Sequence, residues 1–394
     1  MFSERVPSDL RQNRLAAALA DLKRRNEPIV DLTASNPTRM GFVYPDDLLA
    51  PLADPRGLVY APEALGLLEA RQSVVADFAR RGLTTTADRI ALTASTSEAY
   101  SLLFKLLCAP GDEVLIPRPS YPLFDHLTRL DAVTPVSYEL EYHTKWSIDV
   151  ASVERAFNAK TRAVLLVSPN NPTGQFAGAE EIEAIAAVCR KHDAAIISDE
   201  VFADYELTPT SRAVSGRLLS RTDVVGFTLG GLSKTIALPQ AKLAWIAVSG
   251  DDEGVGRVLA RLELACDTYL SVSTPIQLAA AQLLQRGAPI RRQIQERVRE
   301  NYGTLHTRAG EVPSCEILRA DGGWYGVLRI PSIMSEEDLV LSLLAEDRVL
   351  VHPGYFFDFP REAFLVVSLL PPVDRFADGI SRILSRFDRV SDRP

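Results

Sequence analysis

Between residues 88 and 248 the chain alternates short, almost wholly apolar runs with amphipathic stretches of helical period. Arg89–Thr93 and Glu113–Ile116 read as strands, with Ser97–Leu107 and Tyr121–Asp131 as the helices that follow them. Thr134–Leu140 extends again, Ala151–Asn158 is helical, and Ala163–Val167 is apolar throughout. Strands without polar alternation are buried on both faces, so the pattern predicts an α/β fold: a mostly parallel sheet covered by helices on each side. Leu243–Val248 is expected to join it as an antiparallel or edge strand. Near Gly287-Ala288-Pro289 the character changes to a long charged helix from Ile290, with Ile294, Val298 and Leu305 on one buried stripe. Shorter elements follow, extended at Trp324–Ile330 and Phe364–Leu370, helical at Glu336–Glu346 and Asp374–Phe387. They predict a smaller α+β domain. A chain of 394 residues is long for one core, and the expected division is 42–287 for the large domain, 1–41 with 288–394 for the small one.

A net charge of -8 argues against a nucleic-acid surface, which needs clustered Lys and Arg. Cys108, Cys189, Cys266 and Cys315 are widely spaced and form no CxxC pair. Cys189 falls on the helical face Ile182, Ile185, Ala186, Cys189 and reads as core, so no metal site is expected. Glu4 and Asp9 interrupt the N-terminus, and no apolar h-region follows. Arg5, Arg11 and Arg14 with Leu15, Leu19 and Leu22 look like an exposed amphipathic helix instead. No run approaches the ~18 apolar residues of a membrane span. The expectation is a cytoplasmic protein without nucleic-acid or membrane partners.

Three short motifs close apolar runs. Asn170-Asn171-Pro172-Thr173-Gly174 follows Ala163–Val167, Asp199-Glu200 follows Ala194–Ile197, and Ser233-Lys234 follows Val224–Thr228. The carboxyl ends of parallel strands share one crevice, where ligands bind, so an amide, a carboxylate and an amine would converge there. An amine in a partly desolvated site has a lowered pKa and forms Schiff bases. A buried carboxylate needs a cationic partner, which a protonated ring nitrogen supplies. The Asn171 amide can donate to a phenolic oxygen. Pyridoxal 5'-phosphate (PLP) carries all three groups. Thr93-Ala94-Ser95-Thr96-Ser97-Glu98 lies between a strand and a helix and offers hydroxyls and free N–H groups to its phosphate. Tyr121, at a strand end, could stack on its ring. Each residue also has a plainer role: a surface lysine for Lys234, a cap for Asp199, Ser95 or Thr96, a turn for Asn171, core for Tyr121. Gly230 and Gly231 let the backbone before Lys234 pass close to something bulky.

In order and spacing, Asn171-Pro172-Thr173-Gly174, Asp199-Glu200-Val201 and Ser233-Lys234 resemble the PLP-dependent aminotransferases of fold type I, class I and II. The resemblance implies a PLP-dependent aminotransferase, moving an amino group from an amino acid to a 2-oxo acid by a ping-pong Schiff-base mechanism. It implies that Lys234 holds PLP and moves the proton, Asp199 pairs with the ring nitrogen, Asn171 with the ring oxygen, and Tyr121 stacks. Ser95, Thr96, Ser97, Ser233 and Lys242 would hold the phosphate. Tyr60 matches a tyrosine that reaches the phosphate of a partner subunit, which implies a homodimer with shared active sites. Asn36 and Asn171 would touch substrate.

Four positions depart from the family pattern. Phe202 replaces a tyrosine that donates to the ring oxygen, which is expected to raise the pKa of the bound Schiff base. Gly231 replaces a phosphate-binding serine, and Lys242 an arginine, keeping the charge without the fork. Val366 stands where an arginine usually grips the substrate carboxylate, a strong bidentate contact. Arg361, Arg329 and Arg39 are the arginines considered in its place. Other PLP chemistry on the same fold stays open: a C–S lyase, a decarboxylase, an acyl-CoA condensing synthase, or a non-catalytic PLP-binding sensor.

Overall fold

A computed structural model describes residues 2–208, 218–332 and 334–391. The first strand, β1 (Val30–Asp31), belongs to a short pairing described below. Eight strands then build the main sheet: β2 (Ile90–Thr93), β3 (Glu113–Arg118), β4 (Thr134–Tyr142), β5 (Trp146–Ile148), β6 (Thr161–Val167), β7 (Ala195–Asp199), β8 (Gly226–Gly231) and β9 (Ala244–Ser249). Their spatial order is β2-β9-β8-β7-β6-β3-β4-β5. β8, β7, β6, β3 and β4 run parallel to one another, while β9 and the short β5 run against them. β6, β7, β8 and β9 are buried over nearly their whole length, as expected of strands with helices on both faces.

The antiparallel strand sits inside the sheet. β9 lies between β2 and β8 and pairs with both, so the edge is β2. The strand before Lys234 is also longer than expected, because Gly230 and Gly231 belong to β8 and pair with Trp245 and Ala244. The bulky neighbour Gly230 admits is a core indole, since a Cβ there would lie 2.6 Å from Trp245 Nε1, while a Cβ on Gly231 would meet Ala244 Cβ at 2.9 Å.

The chain then passes through the 22-residue helix Ala288–Ala309. Ile290, Ile294, Val298 and Leu305 on it are fully buried, as the stripe predicts. Beyond it come β10 (Glu316–Leu318), β11 (Tyr325–Arg329), β12 (Val349–Leu350), β13 (His352–Pro353) and β14 (Phe364–Ser368). The smaller antiparallel sheet has the order β10-β11-β14-β13, and β1 pairs in parallel with β12. The β1–β12 pair is a separate two-stranded sheet, and Ser368 of β14 ties the N-terminal segment to the smaller sheet. Its N–H donates to the Leu32 carbonyl at 2.7 Å and its hydroxyl to the Ala34 carbonyl at 2.6 Å. The next residue, Ser35, reaches the main cavity as a result. Among the described residues, no helix is long and apolar enough to cross a membrane.

Candidate active site

The C-terminal ends of β6, β7 and β8 are in register, with Val167 opposite Asp199 and Asp199 opposite Leu229. Whatever leaves these three strands therefore leaves at one level. Asp199 is the last residue of β7, Asn171 lies in the turn beyond β6, and Lys234 lies in the helical turn Leu232–Thr235 directly after β8. All three line a cavity of about 280 Å³.

Lys234 is deeply buried, and burial pushes its amine below the ordinary lysine value, against the opposing pull of the Asp199 carboxylate. Its Nζ sits 5.0 Å from the Trp324 ring centre and 5.5 Å from that of Phe202. The two rings meet edge to face at 5.2 Å. The Tyr205 hydroxyl donates to the Lys234 carbonyl at 2.5 Å and anchors the backbone beneath the amine.

Asp199 is buried as well, which raises its carboxyl pKa. Two donors oppose that rise. The Tyr100 hydroxyl donates to Oδ2 at 2.7 Å, and the Val201 N–H donates to Oδ1 at 3.1 Å. Tyr100 comes from the first turns of the helix Thr96–Leu107.

Asn171 is held by the tight Asn170–Gly174 turn, closed by the Gly174 N–H donating to the Asn170 carbonyl at 2.8 Å. Gly174 has φ +72°, and a Cβ there would come within 2.5 Å of the Gly322 carbonyl. The turn thus packs directly on the strand-free segment before β11, whose Asp321 and Gly322 N–H groups donate to the Gly174 carbonyl. The Asn171 side-chain oxygen is buried with no hydrogen-bond partner among the described residues. Buried amides are rarely left unpaired, so this one points to a ligand.

The helix Thr96–Leu107 aims its N-terminus into the same space. Ser95 does cap it, accepting from the Glu98 N–H at 3.1 Å, so the plain capping role holds. The N–H groups of Thr96 and Ser97 have no acceptor within the helix, and Ser95, Thr96 and Ser97 all line the cavity. Ser233 and Lys242 also line it. These donors suit an anion at a positive helix end.

Tyr121 lines the cavity opposite this group and packs edge to face on Phe124 at 5.8 Å. Asn36 does not line it: its side-chain oxygen accepts from the Thr38 N–H and hydroxyl at 3.1 and 2.7 Å, and the residue is exposed. Its neighbour Ser35 faces the cavity instead, together with Tyr325 of β11. Burial lifts the Tyr325 hydroxyl pKa to about 12, eased by a hydrogen bond with Ser35. Tyr60 is away from this cavity and 79% exposed.

Val366 is fully buried in β14, opposite Val327 and His352. It shares the sheet face of Tyr325 and Ser368, since cross-strand partners point the same way. Arg329 is ion-paired with Glu316, Arg361 lies over the Phe364 ring, and Arg39 is exposed. None of the three lines the cavity, and its cations among the described residues are Lys234 and Lys242.

Sequence reasoning missed Tyr100, Ser35, Trp324 and Tyr325. Tyr100 sits in the apolar helical pattern Ala99, Tyr100, Leu103, Phe104 and reads as core until Asp199 is seen beside it.

Comparison with known proteins places the chain in a family. The sequence profile described as "Aminotransferase class I and II" matches residues 49–374. An alanine aminotransferase of Mycobacterium tuberculosis is 28% identical over 379 residues, covering 92% of this chain and 86% of that protein. The glutamate-pyruvate aminotransferase AlaA of Escherichia coli is 26% identical, covering 93% and 91%. In fold, the chain superimposes on the alanine aminotransferase of Pyrococcus furiosus with TM-score 0.89 at 23% identity, covering 99% and 100% of the two chains. The chain belongs to the class I and II aminotransferases, PLP-dependent enzymes that move an amino group between an amino acid and a 2-oxo acid.

Proposed function

We propose that this chain binds PLP through Lys234, Asp199 and Asn171 and uses it to transaminate small amino acids, with L-alanine and L-glutamate first to be tried. The observation that carries the reading is the buried Lys234 amine sharing one cavity with the Asp199 carboxylate and the Asn171 side chain. The residues present fit the cofactor. A carboxylate lies deep, an amide side chain faces the same space, and hydroxyl and N–H donors gather at a helix end.

When bound, PLP supplies an aldehyde that condenses with amines and a ring that withdraws electrons from the substrate α-carbon. The protein's part follows from the side chains. Lys234 Nζ, whose pKa burial lowers, would hold the cofactor and would be the group placed to move the proton at the substrate α-carbon. Asp199, whose burial-raised pKa the Tyr100 hydroxyl and Val201 N–H oppose, would hold a proton on the ring nitrogen. Asn171 would donate to the ring oxygen, and Tyr121 would cover the ring face. Ser95, Thr96, Ser97, Ser233 and Lys242 would hold the phosphate, with Lys242 acting as a point charge. Ser35 and Tyr325 offer neutral donors where Val366 removes a guanidinium, and we assign them the substrate carboxylate together with Asn171.

The same proposal includes a homodimer. Leu58, Val59 and Tyr60 are 89%, 65% and 79% exposed in one stretch, and Tyr60 shares a cavity of about 210 Å³ with Tyr269. An exposed apolar patch of this kind supports contact with a second copy, which would bring Tyr60 to the partner's phosphate site. The division 42–287 against 1–41 with 288–394 is proposed on the β1–β12 pairing and the separate smaller sheet. All four cysteines are unpaired, which supports a reducing, cytoplasmic setting.

The test is a half-reaction screen. PLP-loaded protein is mixed with L-alanine, L-glutamate and other amines in turn, and the released 2-oxo acid is measured with the absorbance of the bound cofactor. Stoichiometric pyruvate from L-alanine supports the reading; release of ammonia or carbon dioxide instead would place the chemistry elsewhere.

A further inference from the structure

The turn that follows Asp199 forms one wall of a second cleft. Arg80 and Arg81, at the end of the helix Leu68–Arg80, face Arg291, Arg292 and Arg299 of the helix Ala288–Ala309 across a cavity of about 230 Å³. The acidic groups on its wall are Asp204 and Glu206. Five guanidinium groups at one place repel one another unless anions neutralise them.

The neutralisation within the chain is uneven. Arg80 bonds Asp77 at 2.9 Å and Asp204 at 2.8 Å, and Arg81 bonds Glu200 at 2.6 Å. Arg299 donates to the Glu206 carbonyl at 2.9 Å and lies 3.8 Å from its carboxylate. Arg291 is different. Its side chain is 14% exposed, its nearest carboxylate oxygen, on Asp77, is 4.0 Å away and already bonded to Arg80, and its buried Nη1 donates no hydrogen bond. Arg292 forms no ion pair among the described residues. A buried guanidinium N–H without an acceptor costs free energy, and an oxyanion in the cleft would remove that cost. The planar guanidinium fork matches phosphate oxygens in pairs.

We propose that this cleft is a second binding site, separate from the PLP cavity, and takes a phosphate dianion between Arg291 and Arg292. The group is either free phosphate or the phosphate of a small organic ester. The inference does not rest on the aminotransferase reading, because its test measures binding.

Titration calorimetry of the PLP-loaded enzyme with inorganic phosphate, at ionic strength fixed with chloride, makes the test. Loading with PLP fills the cofactor's own phosphate locus. One saturable site is expected, weakened at least about tenfold, as for loss of one charge-assisted contact, in Arg292→Glu and in Arg291→Met. Arg292 is exposed, so its variant is expected to fold with unchanged circular dichroism. Arg257→Glu, on a distant exposed helix turn, is expected to bind as the parent does. Tighter binding of glycerol 3-phosphate than of phosphate assigns an organic ester; the reverse assigns the free ion. No saturable heat, or binding that Arg292→Glu and Arg291→Met leave intact, overturns the proposal.

Discussion

The Tyr100 hydroxyl donates to Asp199 Oδ2 over 2.7 Å, and both groups are buried. Burial alone would raise the carboxyl toward neutrality, while this hydrogen bond and the Val201 N–H hold it back. Tyr100 also keeps its own proton, since burial and the adjoining carboxylate push its pKa well above the ordinary tyrosine value. Its position is set by Phe124, which meets its ring edge to face at 5.4 Å. The residue proposed to face the ring nitrogen is therefore supported from a helix whose N-terminus is proposed to hold the phosphate.

Tyr100→Phe keeps the packing and removes the donor. Without it the Asp199 pKa rises further, so the ionised form is lost at higher pH. The acid limb of the pH–rate profile is expected to move upward, with kcat/KM down about 10- to 100-fold, as for a hydrogen bond to a charged group worth ~1.5–3 kcal/mol. Steady-state kinetics across pH check this. An unmoved acid limb would show that the contact is merely structural.

Phe202→Tyr adds a hydroxyl to a ring that lines the cavity and lies 5.5 Å from Lys234 Nζ. If that hydroxyl donates to the cofactor's ring oxygen, it favours the phenolate and eases loss of the neighbouring proton. The visible titration of bound PLP is expected to fall by about one pH unit, the equivalent of ~1.4 kcal/mol. A rise, or no change, would contradict the assigned geometry.

Tyr325→Phe removes a hydroxyl that hydrogen-bonds Ser35 in the cavity. A neutral hydrogen bond contributes about 1 kcal/mol, so KM for the amino acid is expected to rise about fivefold with kcat nearly unchanged. Paired measurement of kcat and KM for L-alanine tests the assignment. A fall in kcat at constant KM would instead place Tyr325 in the chemical step.

Gly174→Ala places a side chain at φ +72° and within 2.5 Å of the Gly322 carbonyl. The backbone must shift or the turn must leave the segment it packs on. Overpacking costs roughly 1–3 kcal/mol, and the left-handed backbone adds about 1 kcal/mol. A lower denaturant midpoint and weaker PLP binding are both expected, because the same turn holds Asn171.

Much of the cavity could be read from the sequence, for a physical reason. Continuous apolar runs mark parallel strands, parallel strands end near one level, and the residues at and just past Val167, Asp199 and Leu229 are therefore neighbours. Contacts made by chance of packing were not legible. Tyr100 lies 99 positions from Asp199, in a pattern that any core helix shows. Ser35 and Asn36 are adjacent in a turn, and which one faces inward depends on Asn36 being used to cap Thr38. That the strand before Lys234 runs on through Gly230 and Gly231 was not legible, because their partners Trp245 and Ala244 arrive from a strand further along. The absence of an arginine at Val366 was legible, but the neutral donors facing the same cavity required the fold.

The most direct test is borohydride reduction of the PLP-loaded enzyme, followed by peptide mapping. The account predicts a single cofactor adduct on the peptide carrying Lys234, and its disappearance with all transamination in Lys234→Ala. An adduct on another lysine, or a Lys234→Ala variant that turns over at the parent rate, would contradict it.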